Sequence, residues 1–73
     1  MEAVRPLDVL NNAKAKEVTI ELKNSRIYRG KLKTFDVHVN TVLFEAVEIS
    51  EGKEVPVGNI FIRGDAIMSI TNI

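Results

Sequence analysis

Several features are absent from these 73 residues, and each absence argues against a class of protein. Cysteine is missing and histidine occurs once, which excludes a disulfide framework or thiolate metal site and argues against zinc. No run approaches the roughly 20 apolar residues of a membrane span, and the first residues lack the apolar core of a signal peptide. We therefore expect a soluble, cytoplasmic protein without a metal, a cofactor or a membrane partner.

The chain is also short for a stable fold. A single domain of 73 residues covering the whole chain (1–73) buries only about 60% of its unfolded surface and is marginal alone. Because disulfides and metals are excluded, association with further copies is the remaining source of stability.

The chain also lacks a net charge. Ten basic and ten acidic residues cancel, whereas a protein that coats phosphates usually carries a large positive excess. The distribution is uneven, since residues 23–33 contain only basic charges and residues 45–54 are mainly acidic. We expect a polarised surface, although such charges also serve as the solvated faces of strands.

The first residues favour a short helix. Pro6 suits a first helical turn, and Leu7, Val9 and Leu10 follow with helical spacing. This helix should end around Asn11 or Asn12.

Beyond residue 16 the pattern becomes that of strands. Val18, Ile20 and Leu22 alternate with polar residues, which predicts a half-buried strand. A polar turn over residues 23–26 leads to a second strand from Ile27 to about Phe35. Gly30 inside this strand predicts a bulge or a bend.

Three more strands complete the pattern. The third, over residues 40–49, has apolar residues on both alternations, which predicts that both faces are covered. Residues 50–54 form a polar turn, and a fourth strand spans 55–62. A tight turn at Arg63-Gly64-Asp65, with Gly64 in the left-handed conformation, precedes a fifth strand over 66–71.

The predicted fold is mostly β: the short N-terminal helix, then a strongly bent five-stranded antiparallel sheet forming a small open barrel. An open barrel keeps two edge strands. The last two strands are apolar and almost uncharged, where a monomer would carry edge lysines. We expect edges of neighbouring copies to pair, and a repeated head-to-tail contact closes a ring.

Chemistry concentrates in the loops after the second and fourth strands. They supply a flat ring (His38), a guanidinium (Arg63) and an amide (Asn40), with carboxylates at Asp36 and Asp65. Such side chains can sandwich and read an unstacked nucleobase. Separately, each has a simpler explanation: a surface histidine, an Asx turn, or an Arg63–Asp65 ion pair. Two carboxylates and one histidine are too common to indicate an enzyme.

Two motifs are set into the strand pattern. The first spans residues 18–47 and includes Gly30, Leu32, Phe35-Asp36, His38 and Asn40. The second spans residues 58–67 and includes Ile62-Arg63-Gly64-Asp65. Together they resemble the two motifs of the Sm-like (LSm) proteins of the archaeal single-domain type. Bacterial Hfq is a related ring, but its second motif ends differently.

The resemblance implies a ring, usually of seven identical subunits, that binds uridine-rich single-stranded RNA at its inner rim. It also implies work in RNA processing or metabolism, together with RNA-processing proteins. The alternative is a ring that acts as a scaffold for other proteins and binds little RNA itself.

The resemblance also assigns roles to individual residues. It implies that His38 and Arg63 stack on either side of a base, that Asn40 bonds the uracil edge, and that Asp36 orients Asn40. Gly64 and Asp65 complete the second loop. One departure is Val39, where many relatives carry Met.

A secondary RNA-binding surface is a separate hypothesis. If the helices cover one face of the ring, Arg5 recurs around that face, and Phe35 can contribute to the same surface. The simpler explanation for Arg5 is solvation.

Overall fold

The computed structural model describes Leu10 and residues 15–71 of the chain. Of the predicted N-terminal helix only Leu10 is among them, and its side chain is buried; Arg5 lies outside the described residues. A short 3-10 turn, Gly64–Ala66, precedes the last strand. The five strands are β1 (Glu17–Leu22), β2 (Ile27–Phe35), β3 (Thr41–Ser50), β4 (Lys53–Ile62) and β5 (Ile67–Thr71).

The five strands form one antiparallel sheet in the order β4-β3-β2-β1-β5. Thus β4 and β5 are opposite edges, although only residues 63–66 connect them. Opposite edges of a flat five-stranded sheet lie roughly 19 Å apart, whereas five extended residue steps span at most about 18 Å. Since the connection is a compact turn, the sheet must curl strongly, and the predicted bent, open barrel is confirmed.

The alternation in β1 has the predicted outcome. Val18, Ile20 and Leu22 are buried, and the residues between them are more exposed. They belong to a single core that also includes Leu10, which precedes β1, and residues from β2, β3 and β4: Leu32, Leu43, Ala46 and Ile62.

The bend predicted at Gly30 is present. The β2–β3 register shifts between Arg29 and Lys31, and a Cβ on Gly30 would lie 3.0 Å from the Cα and Cβ of Ala46. Ala46 in turn lies opposite Gly58 of β4. Small residues therefore cross three neighbouring strands where the sheet bends.

The double apolar pattern of β3 has a different cause from the one predicted. Glu45 has a φ of +52°, and the β3–β4 register shifts between Leu43 and Ala46. This bulge lets Leu43 and Ala46, three positions apart, both face the core. The apolar pattern changes phase within the strand, so it does not mark a strand that is fully covered on both faces.

The turn between β3 and β4 is shorter than predicted. Ser50 pairs with Lys53, which leaves only Glu51 and Gly52 in the turn, with φ values of +51° and +76°. Two left-handed residues match the twist of a tight hairpin. As a result, β4 begins two residues before the predicted Val55.

Ion pairs across the strands modify the predicted polarised surface. Arg29 of β2 contacts Glu17 of β1 and Glu54 of β4, and Lys31 contacts Glu45 at 3.2 Å. The expected polarised surface is not found at these positions, because the folded sheet brings acidic side chains of β1, β3 and β4 close to Arg29 and Lys31. Within the described residues, no helix is long and apolar enough to cross a membrane.

Candidate functional site

The first loop, residues 36–40, joins β2 to β3 and is organised by the Asp36 carboxylate. Its Oδ1 accepts hydrogen bonds from the backbone N–H of His38 (2.8 Å) and of Asn40 (3.1 Å). Its Oδ2 accepts one from the Asn40 side-chain Nδ2 at 3.0 Å. These bonds, chiefly the one from the Asn40 amide, lower the pKa of Asp36 against a smaller opposing effect of desolvation.

The backbone of the first loop is tightly turned. Val39 N–H donates to the Asp36 carbonyl at 3.0 Å, and Asp36 N–H donates to the Asn40 carbonyl at 3.1 Å. Val39 itself has a φ of +65°, which is unfavourable for a β-branched residue. On either side of Val39, the His38 side chain is exposed and the Asn40 side chain is half-buried.

The second loop, residues 63–66, joins β4 to β5. Arg63 is extended, and the 3-10 turn that follows is closed by a bond from Ala66 N–H to the Arg63 carbonyl at 3.1 Å. The Arg63 guanidinium donates to Asp65 Oδ2 at 2.9 Å. Both side chains are about 70% exposed, at 74% and 67%, so solvent screens this pair.

The two loops touch through Gly64. Its N–H donates to Asn40 Oδ1 at 2.7 Å, and a Cβ at this position would lie 1.9 Å from the His38 carbonyl oxygen. The predicted left-handed conformation is wrong, because Gly64 is part of the 3-10 turn and its φ is not positive. Glycine is needed here because a side chain would collide with the first loop.

The amide of Asn40 is therefore held on both sides. Its nitrogen faces the Asp36 carboxylate, which only accepts, and its oxygen faces the Gly64 N–H. One amide hydrogen and one oxygen lone pair remain for a ligand. That combination matches the acceptor and donor on the edge of uracil.

A shallow, open depression lies where the loops meet. It contains five of the six residues that the sequence assigned to the main site, while Asp36 supports Asn40 through its hydrogen bonds. The depression is lined by His38, Asn40, Phe61, Arg63, Gly64 and Asp65. A ring, a guanidinium and an oriented amide around one hollow can hold a flat, polar-edged molecule such as a nucleobase.

Two aromatic residues lie near the loops. Phe61 of β4, which the sequence analysis did not include in the site, is 63% exposed and lines the depression. Its alternation with the inward-facing Ile60 and Ile62 was the available signal. Phe35, assigned to a secondary surface, is half-buried and packs against the core, so only part of its ring is accessible. Among the residues described, no cluster of three or more His, Asp or Glu is arranged to hold a metal.

Comparison with known proteins gives concordant results. The LSM domain model matches residues 8–72. An snRNP Sm-like protein of Methanosarcina barkeri is 46% identical over 70 residues, covering 94% of this chain and 97% of that protein.

Two solved structures share the fold. A heptameric archaeal Sm protein aligns with a TM-score of 0.86 and 34% identity, over 89% of this chain and 96% of that chain. A Pyrococcus abyssi Sm protein in complex with a uridine heptamer aligns with a TM-score of 0.90 and 39% identity, over 96% of this chain and 100% of that chain.

Proposed function

This chain belongs to the LSM domain family, and from that premise we propose that it forms a homo-oligomeric ring binding uridine-rich single-stranded RNA. The observation that carries the proposal is the depression in which His38, Asn40 and Arg63 meet. A base lies between the His38 ring and the Arg63 guanidinium, and the Asn40 amide reads its edge. The relative that was solved with a uridine heptamer supports this choice of ligand.

The proposed ring forms by pairing the free edge of β4 with the free edge of β5 on the next copy. Exposed apolar side chains at both edges support this contact: Phe61 on β4 is 63% exposed and Met68 on β5 is 60% exposed. Two different edges make a heterologous contact, which repeats until a ring closes. Seven copies are proposed because a relative with 34% identity is heptameric.

In this proposal the site binds RNA and does not cleave it. Asp65 lines the depression but is paired with Arg63. Asp36 does not line it, already accepts three hydrogen bonds and has a lowered pKa. A carboxylate in that state is a weak general base at neutral pH. The proposed work is RNA processing or metabolism in the cytoplasm, with the ring presenting RNA to processing proteins.

Labelled oligo(U) and oligo(A) test the proposal directly. Native mass spectrometry of the protein with each RNA should show a seven-subunit particle that binds oligo(U) more tightly and leaves it intact. A ring that binds neither RNA would support the scaffold alternative. Cleaved RNA, equal affinity for both sequences, or a stable 8.2 kDa monomer would contradict the proposal.

The edge contact has its own test. Met68→Glu places a charge on the exposed face of β5, and Met68 does not line the base-binding depression, so we expect the ring to dissociate. Ser69→Glu is the matched control, since Ser69 is an exposed neighbour on the same strand. A Met68→Glu protein that still forms the full ring would exclude Met68 from the interface.

A further inference from the structure

One buried polar side chain, Thr41, lies at the base of both loops. Among the residues described it is the polar side chain that is fully buried, with 0% exposure. Thr41 is the first residue of β3 and pairs with Phe35 of β2 and Ile62 of β4. These partners are the residues at which the two neighbouring strands end and the loops begin.

The Thr41 hydroxyl donates to the Val39 carbonyl at 2.7 Å. A buried hydroxyl is costly unless it is hydrogen-bonded, so this bond holds the hydroxyl and the carbonyl together. Val39 is the strained residue of the first loop, with a φ of +65°. A β-branched residue in such a conformation is strained and persists only when its surroundings hold it.

The remaining contacts of the first loop leave a specific task for Thr41. Asp36 holds the loop from within, and the Val39 side chain packs against the core. The Thr41 bond links the strained peptide to the first residue of β3. The Val39 carbonyl belongs to the peptide bond between Val39 and Asn40, and His38 is the residue before Val39.

We infer that Thr41 is a positioning residue for base recognition: its hydroxyl holds Val39 in the left-handed conformation and thereby orients His38 and Asn40. The inference rests on the proposed function, because it assigns those side chains to a bound base. It separates two parts of one side chain. The hydroxyl positions the loop, and the methyl group fills the core.

Two substitutions separate these parts. Thr41→Val keeps the volume and removes the hydroxyl, whereas Thr41→Ser keeps the hydroxyl and removes the methyl group. In the full-length ring, Thr41→Val should bind oligo(U) about fivefold more weakly, the size of one ordinary hydrogen bond, with reduced preference over oligo(C). Thr41→Ser should retain wild-type affinity and preference while unfolding at a lower temperature.

A merely structural role predicts the opposite order. If Thr41 only fills the core, Thr41→Ser loses more than Thr41→Val, and binding falls in proportion to stability in both variants. That result would overturn the inference.

A second measurement does not depend on RNA. In the RNA-free ring, the NMR signals of the Asn40 side-chain amide and the Gly64 N–H report the contact between the loops. We expect both signals to move in Thr41→Val and to stay near wild type in Thr41→Ser. Unchanged signals in Thr41→Val would overturn the inference even if the ring binds oligo(U). Failure of the wild-type ring to bind oligo(U) would instead refute the proposed function, and the NMR comparison would still decide the role of Thr41.

Discussion

The two loops meet in one depression, but they are held in place in different ways. The first loop is held from within, because Asp36 accepts three hydrogen bonds from His38 and Asn40. The second loop is closed by a backbone bond from Ala66 N–H to the Arg63 carbonyl, and the bond from Gly64 N–H to Asn40 Oδ1 ties it to the first loop. Among the contacts of the described residues, the side chain of Arg63 is restrained by its exposed ion pair with Asp65 alone.

Under the proposed function, this difference separates selectivity from affinity. The Asn40 amide is fixed on both sides, as a group that reads the edge of a base must be, since reading depends on hydrogen-bond direction. The Arg63 guanidinium is less restrained, and stacking tolerates such freedom because every base has a flat face. Mutations in the two loops should therefore have different effects on different bases.

The largest expected effect comes from removing the contact between the loops. Gly64→Ala places a Cβ 1.9 Å from the His38 carbonyl oxygen, so the backbones must separate. We expect destabilisation of about 3 kcal/mol, the upper end of overpacking costs, and loss of detectable oligo(U) binding. Chemical denaturation and fluorescence titration measure the two effects.

Gly52→Ala is the matched control for this change. Gly52 has a φ of +76°, but a Cβ there would have no neighbour within 4 Å. It should cost about 1 kcal/mol of stability through backbone strain and leave oligo(U) affinity unchanged. If both variants bind oligo(U) like the wild type, the contact between the loops is not needed.

Removal of either stacking group should have the next largest effect. His38→Ala and Arg63→Ala should each weaken binding by roughly 1–3 kcal/mol per stacked base, for uridine and cytidine alike. Because every subunit repeats the loss, an oligonucleotide spanning several pockets should lose more affinity than a mononucleotide. Titration with oligo(U), oligo(C) and UMP tests this. A loss restricted to uridine would show that these residues read the edge instead.

Asn40→Ala should chiefly change selectivity. We expect oligo(U) affinity to fall by about 1 kcal/mol per contacted base, with weak oligo(C) binding little changed. Native mass spectrometry should first establish that the variant forms the ring. Unchanged preference for uridine would mean that backbone groups around Gly64 read the edge.

Replacement of Asp36 tests the inner support of the first loop. The pKa of Asp36 is lowered from 3.8 in the folded protein, so its contribution to stability is fully present above that value. The contribution is lost as the pH falls through the folded pKa. The stability difference between wild type and Asp36→Asn should therefore be larger at pH 7 than at about pH 3. A difference that is independent of pH would contradict this role for the carboxylate.

The smallest expected effect is that of Asp65→Ala. The exposed ion pair with Arg63 contributes no more than about 1 kcal/mol, and its removal frees the guanidinium without removing it. Oligo(U) affinity should change by no more than about twofold, which corresponds to about 0.5 kcal/mol. A loss as large as that of Arg63→Ala would show that Asp65 contacts the RNA directly or fixes the guanidinium.

Local patterns in the sequence predicted most of the strands. The alternation of Val18, Ile20 and Leu22 was enough for β1, and Gly30 correctly marked the bend in β2. The change of phase in β3 could not be predicted, because the bulge at Glu45 leaves no local signal in a mostly apolar run of residues. Alternation reports burial only while the strand remains regular.

The candidate site residues could be proposed from the sequence because their side-chain types and the two motifs pointed the same way, and five of the six line one depression in the structure. The reason for a glycine at position 64 could not be predicted, since a collision with the His38 carbonyl depends on how distant segments meet. The same limit applies to the ion pairs of Arg29 in β2. Its acidic partners Glu17 and Glu54 are distant in sequence and come close to it only when the strands assemble into the sheet.

The short connection between β4 and β5 determines where this chain tolerates insertions. Four residues join opposite edges of the sheet, so added residues there would allow the barrel to open and would move Arg63 away from Asn40. The exposed Glu51-Gly52 turn has no such constraint, because it joins strands that are already neighbours. A tag or a fused domain belongs at that hairpin tip, where it leaves the curvature of the sheet intact.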